Sequence, residues 1–404
     1  MMLRHLFKLI WKRKSRNMML SLEILLAFVI VFGIAAFALR SRQLYELPVG
    51  FDYRPMWSVL INTRDNKGVG TDPAVYETIR QSLRALPEVE DVGFSGFPVY
   101  ESSRMTSDFS LPDGSRQLNS NMIIVNDEFP AIAGMKLAGG RWFSRADDGA
   151  AITPVVINRR LADALFPGKS AVGQVFAEGH HSDGPKNAPE LFKVSGVVEE
   201  FRNQGEYMAP VNMMLVRLGQ AADKYQLNVI AIKVKPGTPR IFETKLNSQL
   251  KLLHSDWSYT ITPVADARAS MLKLQSVPLM ILSVIAAFLL VMVAFGLFGV
   301  LWQNTTQRIP EIGLRRAVGA DAGHIYRQII AEQMLLSSGA IAIALLLLVQ
   351  LPLTGVLGEN LNWPVFLMAA ALSAGVIYLL SLLCSLYPGW RAARLSPTQA
   401  LHYE

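Results

Sequence analysis

The tripeptide Gly168-Lys169-Ser170 is the fragment of this sequence that comes nearest to a phosphate-binding loop. The full pattern, G-x-x-x-x-G-K-[ST], needs an earlier glycine as well, because the backbone N–H groups of a glycine-rich turn must surround the phosphates. Asp163 occupies the position of that earlier glycine. We therefore expect that this chain neither hydrolyses ATP nor binds a cofactor directly.

Two histidines and an aspartate, His180, His181 and Asp183, could suggest a metal site. Their loop is rich in glycine, proline, serine and asparagine and offers no further ligand at the spacing of a metal centre. Cys384 has no second cysteine to pair with in the sequence. No nucleophile–base pair is recognisable along the chain, although such pairs are assembled in space. The sequence therefore predicts a non-catalytic chain without a metal.

A short segment between two apolar stretches combines helix-start and helix-stop residues with paired charges. Pro310 suits a first helical position, and Glu311 suits the positive end of a helix. Glu311 and Arg315 are four positions apart in the order that favours an ion pair. Gly319 can close the helix, and Asp321 can cap the next one. The pattern predicts a short cytoplasmic helix; the alternative is a solvated basic loop with no other role.

Two acidic residues, Glu23 and Glu332, lie about one helical turn inside long apolar stretches. An ionisable residue in a membrane span is a candidate functional site by default. The alternative is an interfacial carboxylate that extends toward water or a basic partner. For Glu332 that partner would be Arg327 or the short helix that begins near Pro310. We favour this alternative for both acids.

Four stretches, residues 18–39, 277–302, 329–353 and 364–386, are apolar over the roughly 20 residues that a bilayer-crossing helix needs. Residues 40–276 have the composition of a soluble domain and suffice for a sizeable core of two subdomains. Over the whole chain 18% of the residues are charged, against about 25% in soluble domains. The hydrophobic content of 51% excludes a disordered chain. The sequence predicts a multi-pass membrane protein with one large domain.

Basic residues are concentrated in residues 1–17, 303–328 and 387–404. By the positive-inside rule these regions, and so both termini, are cytoplasmic, and residues 40–276 are periplasmic or extracellular. Residues 1–17 also have the spacing of an amphipathic helix on the cytoplasmic surface. Cleavage of a signal peptide after Ala36-Phe37-Ala38 is the alternative, but a signal core has only about 7–15 residues. The net charge of +7 thus reflects topology, and no nucleic-acid partner is expected.

Residues 40–276 predict an α+β fold, because short strands are separated by turns and helical segments. The first half is strand 58–62, helix 74–86 with Asp72 as its cap, and strand 92–95. The second half is strands 212–217 and 228–234, helix 241–254 and strand 259–262. Two strand–helix–strand halves around an insertion predict a split ferredoxin-like subdomain that carries an inserted lobe.

The inserted lobe is predicted from capping and turn residues. Asn126 can cap a short helix that ends at Gly134, and Gly139-Gly140 follows as a turn. Asn158 can cap a helix over residues 159–166, which Pro167-Gly168 stops. The strands predicted on either side are 155–157 and 192–198.

Several segments resemble the permeases of MacB-like and FtsX-like ABC transporters. The closest resemblance is to the coupling helix of that family, over residues 311–320. The similarity continues at 325–332, at the tail 388–404, and in the outer domain at 125–148, 155–168 and 194–202. Ile309-Pro310 departs from the polar or basic pair that the family commonly has there. In the family this helix docks into the ATP-binding subunit.

The resemblance implies a set of ATPase-coupling residues: Glu311, Ile312, Gly313, Leu314, Arg315, Arg316, Ala317, Val318, Gly319 and Ala320. It also implies a permease subunit in a bacterial inner membrane, with a separate cytoplasmic ATPase that uses the ATP. A second permease copy or a sister permease would complete a dimer, and a periplasmic adaptor or membrane-fusion protein is a further candidate partner beside the membrane lipids. The expected function is mechanotransmission for efflux of a substrate that the sequence does not specify.

Three alternatives share parts of this resemblance. An FtsX-like signalling module would regulate an envelope enzyme without transport, but its outer domain is much smaller and lacks segments 155–168 and 194–202. A lipoprotein-releasing permease has a similar length but matches residues 311–320 and the tail less well. A structural membrane adaptor without an ATPase is disfavoured by the intact segment 311–320.

Overall fold

The computed structural model describes residues 14–63, 69, 72–178, 190–218 and 227–394. Two compact units make up the chain. Leu44–Gln275 is called here the α/β unit, and Met1–Gln43 with Ser276–Glu404 is called the helical unit. Three predicted features lie wholly or partly outside the described residues: residues 1–13 of the surface helix predicted over 1–17, the loop with His180, His181 and Asp183, and residues 395–404 of the tail predicted over 387–404.

The described residues form ten α-helices and eleven strands. The helices are α1 (Lys14–Glu46), α2 (Pro73–Arg84), α3 (Phe129–Ile132), α4 (Arg159–Leu165), α5 (Phe242–Leu253), α6 (Val264–Thr306), α7 (Ile309–Ala317), α8 (Ala322–Leu348), α9 (Gln350–Thr354) and α10 (Trp363–Arg394). The strands are β1 (Met56–Asn62), β2 (Val89–Ser95), β3 (Met105–Ser110), β4 (Leu118–Val125), β5 (Leu137–Gly140), β6 (Thr153–Asn158), β7 (Val175–Glu178), β8 (Leu191–Val198), β9 (Met213–Arg217), β10 (Val229–Val234) and β11 (Ser258–Pro263). Helices α1 and α6 contribute residues to both units.

The helical unit is built on four helices, α1, α6, α8 and α10, that are long and apolar enough to cross a bilayer. Their buried faces meet in an apolar core in which the ring centroids of Phe32 and Phe366 are 5.3 Å apart. Large apolar side chains such as Phe288 on α6 stay exposed, which is typical of a helix that faces lipid. The predicted fold class of four membrane-length helices with a large α/β domain is confirmed.

Helices α8 and α10 pack against each other in antiparallel directions. The hydroxyl groups of Ser337 and Ser381 are 2.8 Å apart, and further along the pair Ile329 lies beside Gly389. Because serine and glycine are small, the two backbones can approach closely. The short helix α7 packs on this pair.

A ferredoxin-like sheet forms one half of the α/β unit. Its strands lie in the order β11-β1-β10-β2, and every neighbouring pair is antiparallel. Helices α2 and α5 cover one face, where the rings of Trp57 and Phe242 are 5.5 Å apart and those of Tyr76 and Phe94 are 5.0 Å apart. The predicted split ferredoxin-like arrangement is therefore present, with the lobe inserted between β2 and β10.

One predicted strand belongs to the inserted lobe and not to the ferredoxin-like sheet. Residues 212–217 were expected in the second ferredoxin half, but β9 pairs in parallel with β4 and in antiparallel with β6, both within the lobe. All five residues of β9 are buried. A fully buried strand needs neighbours on both sides, and the lobe supplies them.

Two of the predicted helix caps in the α/β unit are present, and one predicted cap and one predicted turn are not. Asp72 accepts a hydrogen bond from the N–H of Ala74, and Asn158 accepts one from the N–H of Leu161, so both cap their helices as predicted. Asn126 does not cap α3, because its Oδ1 accepts a hydrogen bond from the N–H of Phe94 instead. Residues 139–140 were predicted as a turn but lie in β5, where they pair with β8.

Candidate functional site

Helix α7 begins and ends where its local sequence predicts. Pro310 lies in its first turn. The backbone leaves the helix after Val318, since Gly319 has a φ of 101°, a value that favours glycine. Asp321 then accepts a hydrogen bond from the N–H of Gly323 at 3.0 Å and caps α8. Of the ten predicted coupling residues, those from Glu311 to Ala317 are helical and the last three form the connection to α8.

The buried side of α7 packs on the helical unit. Ile312 is 6% exposed and lies in an apolar cluster with Ile325 and Ile329 of α8 and Ala392 of α10. Gly313 is buried beside it. Because these contacts come from two different helices, α7 is held at the end of the α8–α10 pair.

A chain of polar contacts fastens α7 to α8. Glu311 Oε1 is 2.6 Å from Nη2 of Arg315, as their spacing predicts, and Nη1 of Arg315 donates to Oε1 of Gln328 at 3.2 Å. Nε2 of Gln328 donates to Oε1 of Glu332 at 3.0 Å. Oε2 of Glu332 is 2.5 Å from Nη1 of Arg308. Of the two partners predicted for Glu332, Arg327 or the short helix, the structure therefore has the second, at the residue just before α7.

The second arginine of α7 contacts the other partner helix. Nη1 of Arg316 donates to the carbonyl oxygen of Ala393 at 2.7 Å. Ala393 lies in α10, one residue before the end of the described part of that helix. The neighbouring arginines Arg315 and Arg316 thus connect α7 to two different helices.

The remaining side of α7 is exposed and largely apolar. The side chain of Leu314 is 60% exposed, and that of Val318 in the connection is 83% exposed. Pro310 and Ala317 are exposed as well. An exposed leucine on a nine-residue helix contributes nothing to its own fold. This face is therefore available for a partner.

Glu23 is not part of this arrangement. It lies half-buried on α1, against α6, where a Cβ added to Gly296 would be 2.0 Å from its Oε1. The structure thus places the two intramembrane acids in different surroundings, Glu23 against a helix backbone and Glu332 in an ion pair. Among the described residues, no group of three or more His, Cys, Asp and Glu side chains could hold a metal ion.

The α/β unit contains a buried polar contact that the sequence did not reveal. The side chain of Arg202 is fully buried, and its guanidinium donates to the carbonyl oxygens of Leu44 and Leu47 at 2.9 Å each. It also donates to the carbonyl oxygens of Met208, at 2.9 Å, and of Glu206. Arg202 thereby joins the last residues of α1 to the loop that follows β8.

The same loop contacts the first turns of α6. Oε1 of Glu206 is 2.5 Å from Nε of Arg268, whose guanidinium lies 4.7 Å from the ring centroid of Tyr53. Burial, and then the nearby Glu206 carboxylate, raise the pKa of the Tyr100 hydroxyl. We call Arg202, Glu206 and Arg268 the arginine clamp, because they link the ends of α1 and α6 that belong to the α/β unit.

Comparisons with known proteins match both parts of the chain. Residues 18–241 match the MacB-like periplasmic core domain, and residues 283–397 match the FtsX-like permease C-terminal domain. A macrolide export ATP-binding/permease protein MacB of Marinobacter nauticus is 25% identical over 354 residues, 82% of this chain and 50% of that protein. One from Salmonella paratyphi A is 26% identical over 408 residues, 97% of this chain and 59% of that protein.

The chain thus spans about half the length of the curated relatives it matches. The periplasmic region of MacB from Actinobacillus actinomycetemcomitans aligns with 57% of this chain and 97% of its own, with 14% identity and a TM-score of 0.39. The core-domain match extends over more than half of the residues. The chain belongs to the MacB-like and FtsX-like family of ABC transporter permeases.

Proposed function

We propose that this chain is the membrane subunit of a MacB-like exporter and that a separate cytoplasmic ATPase docks on α7. In this proposal the chain sits in a bacterial inner membrane with both termini in the cytoplasm and the α/β unit in the periplasm. The observation that carries it is the exposed apolar pair of Leu314 and Val318 on a helix whose other side is fastened to α8 and α10.

The physical argument concerns the water-facing side of α7. Short helices of this kind bind by placing an apolar face in a groove of the partner. The contacts of Arg315 and Arg316 would then pass a displacement of α7 to α8 and α10, because two half-buried hydrogen bonds donated by charged groups resist separation. An unfastened loop would absorb that displacement.

The second half of the proposed mechanism is transmission to the α/β unit. Helices α1 and α6 are continuous from one unit into the other, so a movement of either helix along its axis reaches the arginine clamp. ATP would be hydrolysed only by the partner, and this chain would contribute no catalytic residue. The relatives bear the name macrolide export, and export is the activity that we propose, by a dimer of this chain or with a sister permease.

The docking step is tested by co-purification with separately expressed ABC ATPases of the same organism that lack a membrane domain. We expect Leu314→Asp and Val318→Asp to reduce the retained ATPase at least about tenfold, since a charge in the centre of an apolar contact costs more than 1.4 kcal/mol. Val356→Asp is the matched control, because Val356 is also an exposed valine between helices, 74% accessible. Retention at the wild-type level by both α7 variants would exclude this docking surface.

A further inference from the structure

Four aromatic rings form a continuous stack where α6 and α10 lie side by side. Phe298 and Trp302 come from α6, and Tyr387 and Trp390 come from α10. The ring centroids of Trp302 and Tyr387 are 5.8 Å apart with an angle of 9° between the planes. Phe298 lies 6.2 Å from Tyr387, and Trp390 lies 6.2 Å from Tyr387 on the other side. The stack joins the ends of two predicted membrane spans.

Two arginines lie on this stack. The guanidinium carbon of Arg391 is 4.3 Å from the ring centroid of Trp302, and that of Arg394 is 4.5 Å from the ring centroid of Trp390. Both arginine side chains are exposed. Within residues 14–394, as far as they are described, neither pairs with a carboxylate. A guanidinium stacked on a ring keeps its N–H donors free at the edge of the plane.

We propose that this aromatic–arginine cluster binds the phosphate headgroup of an anionic phospholipid. Tryptophan and tyrosine collect at the level of the headgroups in membrane proteins, because their rings are apolar and their N–H and O–H groups are polar. The rings of Tyr387 and Trp390 are about half exposed, so acyl chains can cover them. A guanidinium group beside such rings carries the positive charge and the N–H donors that a lipid phosphate pairs with, and two of them lie on this stack.

The position of the cluster links lipid binding to α7. Arg391 and Arg394 flank Ala392, which packs on Ile312, and Ala393, whose carbonyl accepts from Arg316. A lipid phosphate that holds the two arginines therefore holds the turn of α10 on which α7 rests. Lipid binding by this cluster is a separate property from docking of an ATPase on α7, because it can be measured without any ATPase present.

The test measures lipid binding by the purified full-length protein in mixed micelles. The probes are dioleoyl-phosphatidylglycerol and, as the neutral reference, dioleoyl-phosphatidylcholine, with bound lipid counted by native mass spectrometry. We expect phosphatidylglycerol to be preferred, and Arg391→Ala with Arg394→Ala to weaken its binding about tenfold to thirtyfold, since each arginine contributes about 1 kcal/mol. Arg327→Ala is the matched control, because Arg327 is exposed and contacts no ring of the stack.

A second readout guards against a folding defect in the double variant. Phosphatidylglycerol with brominated chains should quench tryptophan fluorescence, and Trp390→Phe, which keeps a ring in the stack, should remove part of that quenching. Equal binding of both lipids, or unchanged phosphatidylglycerol binding by the double variant, would overturn the proposal. Displacement of the lipid by an acidic peptide at equal concentration would point to a protein partner instead and would also overturn it.

Discussion

Nη2 of Arg202 donates a hydrogen bond to the carbonyl oxygen of Leu44 at 2.9 Å, across 158 positions of sequence. Leu44 is in the last turn of α1, where carbonyl groups have no partner within the helix. The buried guanidinium of Arg202 thus takes the place of the water that would otherwise hydrogen-bond to this carbonyl group. The neighbouring Glu206 binds Arg268 on α6, so a single loop holds both helices.

The first prediction concerns Arg202→Met. The methionine fills similar space but leaves several buried carbonyl oxygens without a donor, so we expect a loss of about 3 kcal/mol in the free energy of unfolding of the α/β unit. Hydrogen exchange of the full-length protein should become faster at residues 44–47 and 206–208. Arg104→Met is the control, since Arg104 is exposed. Equal exchange rates in both variants would contradict the clamp.

The second prediction compares two glycines with positive φ. Gly50 follows α1, has a φ of 87°, and a Cβ there would be 1.9 Å from the carbonyl oxygen of Glu200. Gly114 has a φ of 75° and nothing within 4 Å of its Cβ position. We expect Gly114→Ala to cost about 1 kcal/mol and Gly50→Ala at least about 2 kcal/mol more. Thermal unfolding of the two variants in detergent checks this. Equal melting temperatures would show that the backbone near Glu200 shifts to make room for the Cβ added at position 50, which would contradict the prediction.

The third prediction concerns the pair of Arg308 and Glu332. Their side chains are 17% and 12% exposed, so Glu332→Ala leaves a largely buried guanidinium without its carboxylate. We expect a loss of about 2 kcal/mol and faster hydrogen exchange in α7. Exchanging the two residues, Arg308→Glu with Glu332→Arg, should recover part of this loss.

Glu311→Ala is the matched control for that pair. It breaks the ion pair with Arg315, in which both side chains are more than a third exposed, and should cost about 0.5 kcal/mol or less. If Glu311→Ala and Glu332→Ala reduced stability and sped up hydrogen exchange in α7 equally, burial of the Arg308–Glu332 pair would not strengthen its contribution.

The fourth prediction is a pH dependence. The hydrogen bonds from Arg141, together with one from the Ser144 N–H, lower the pKa of Asp147 to about 2. A carboxyl with a lowered folded-state pKa stabilises the fold above its unfolded pKa of about 3.9, and this contribution is lost as the pH falls toward 2. Because Arg141 is 59% exposed, we expect only about 1 kcal/mol.

The variant Asp147→Asn tests this dependence. Its melting temperature should be lower than that of the wild type at pH 6, and the two should converge as the pH falls from 4 toward 2. Asp163→Asn, at an exposed carboxyl, serves as the control and should track the wild type throughout. A constant gap between Asp147→Asn and the wild type across this range would refute the linkage.

Local rules predicted the parts of this fold that depend on near neighbours. The caps at Asp72, Asn158 and Asp321 each satisfy an N–H two or three positions away. The ion pair of Glu311 and Arg315 follows from one helical turn. The two ferredoxin halves, apart from strand 212–217, follow from alternation and turn residues alone.

Contacts between distant residues were left open or missed. The sequence offered Glu332 two partners, Arg327 or the helix near Pro310, and the structure has Arg308, the residue just before α7 and 24 positions from Glu332. Arg327 is five positions from Glu332 and so points to a different face of α8. Arg202 binds carbonyl oxygens near residue 44, and no local pattern marks such acceptors. The one sequence feature that could have indicated a buried arginine is the position of Arg202 beside Phe201, in the loop after the buried strand β8.

The order of strands in the ferredoxin-like sheet constrains how the chain is made. Strand β1 is flanked by β11 and β10, and both are synthesised after the entire lobe. Until β10 has been made, β1 has open edges on both sides, and one edge stays open until the ribosome has passed Pro263. An unpaired edge invites pairing with other chains. The lobe can close earlier, since its strands lie between residues 105 and 217. The sheet therefore completes only as α6 begins to emerge, so nascent copies depend on protection from aggregation throughout the first two thirds of their synthesis.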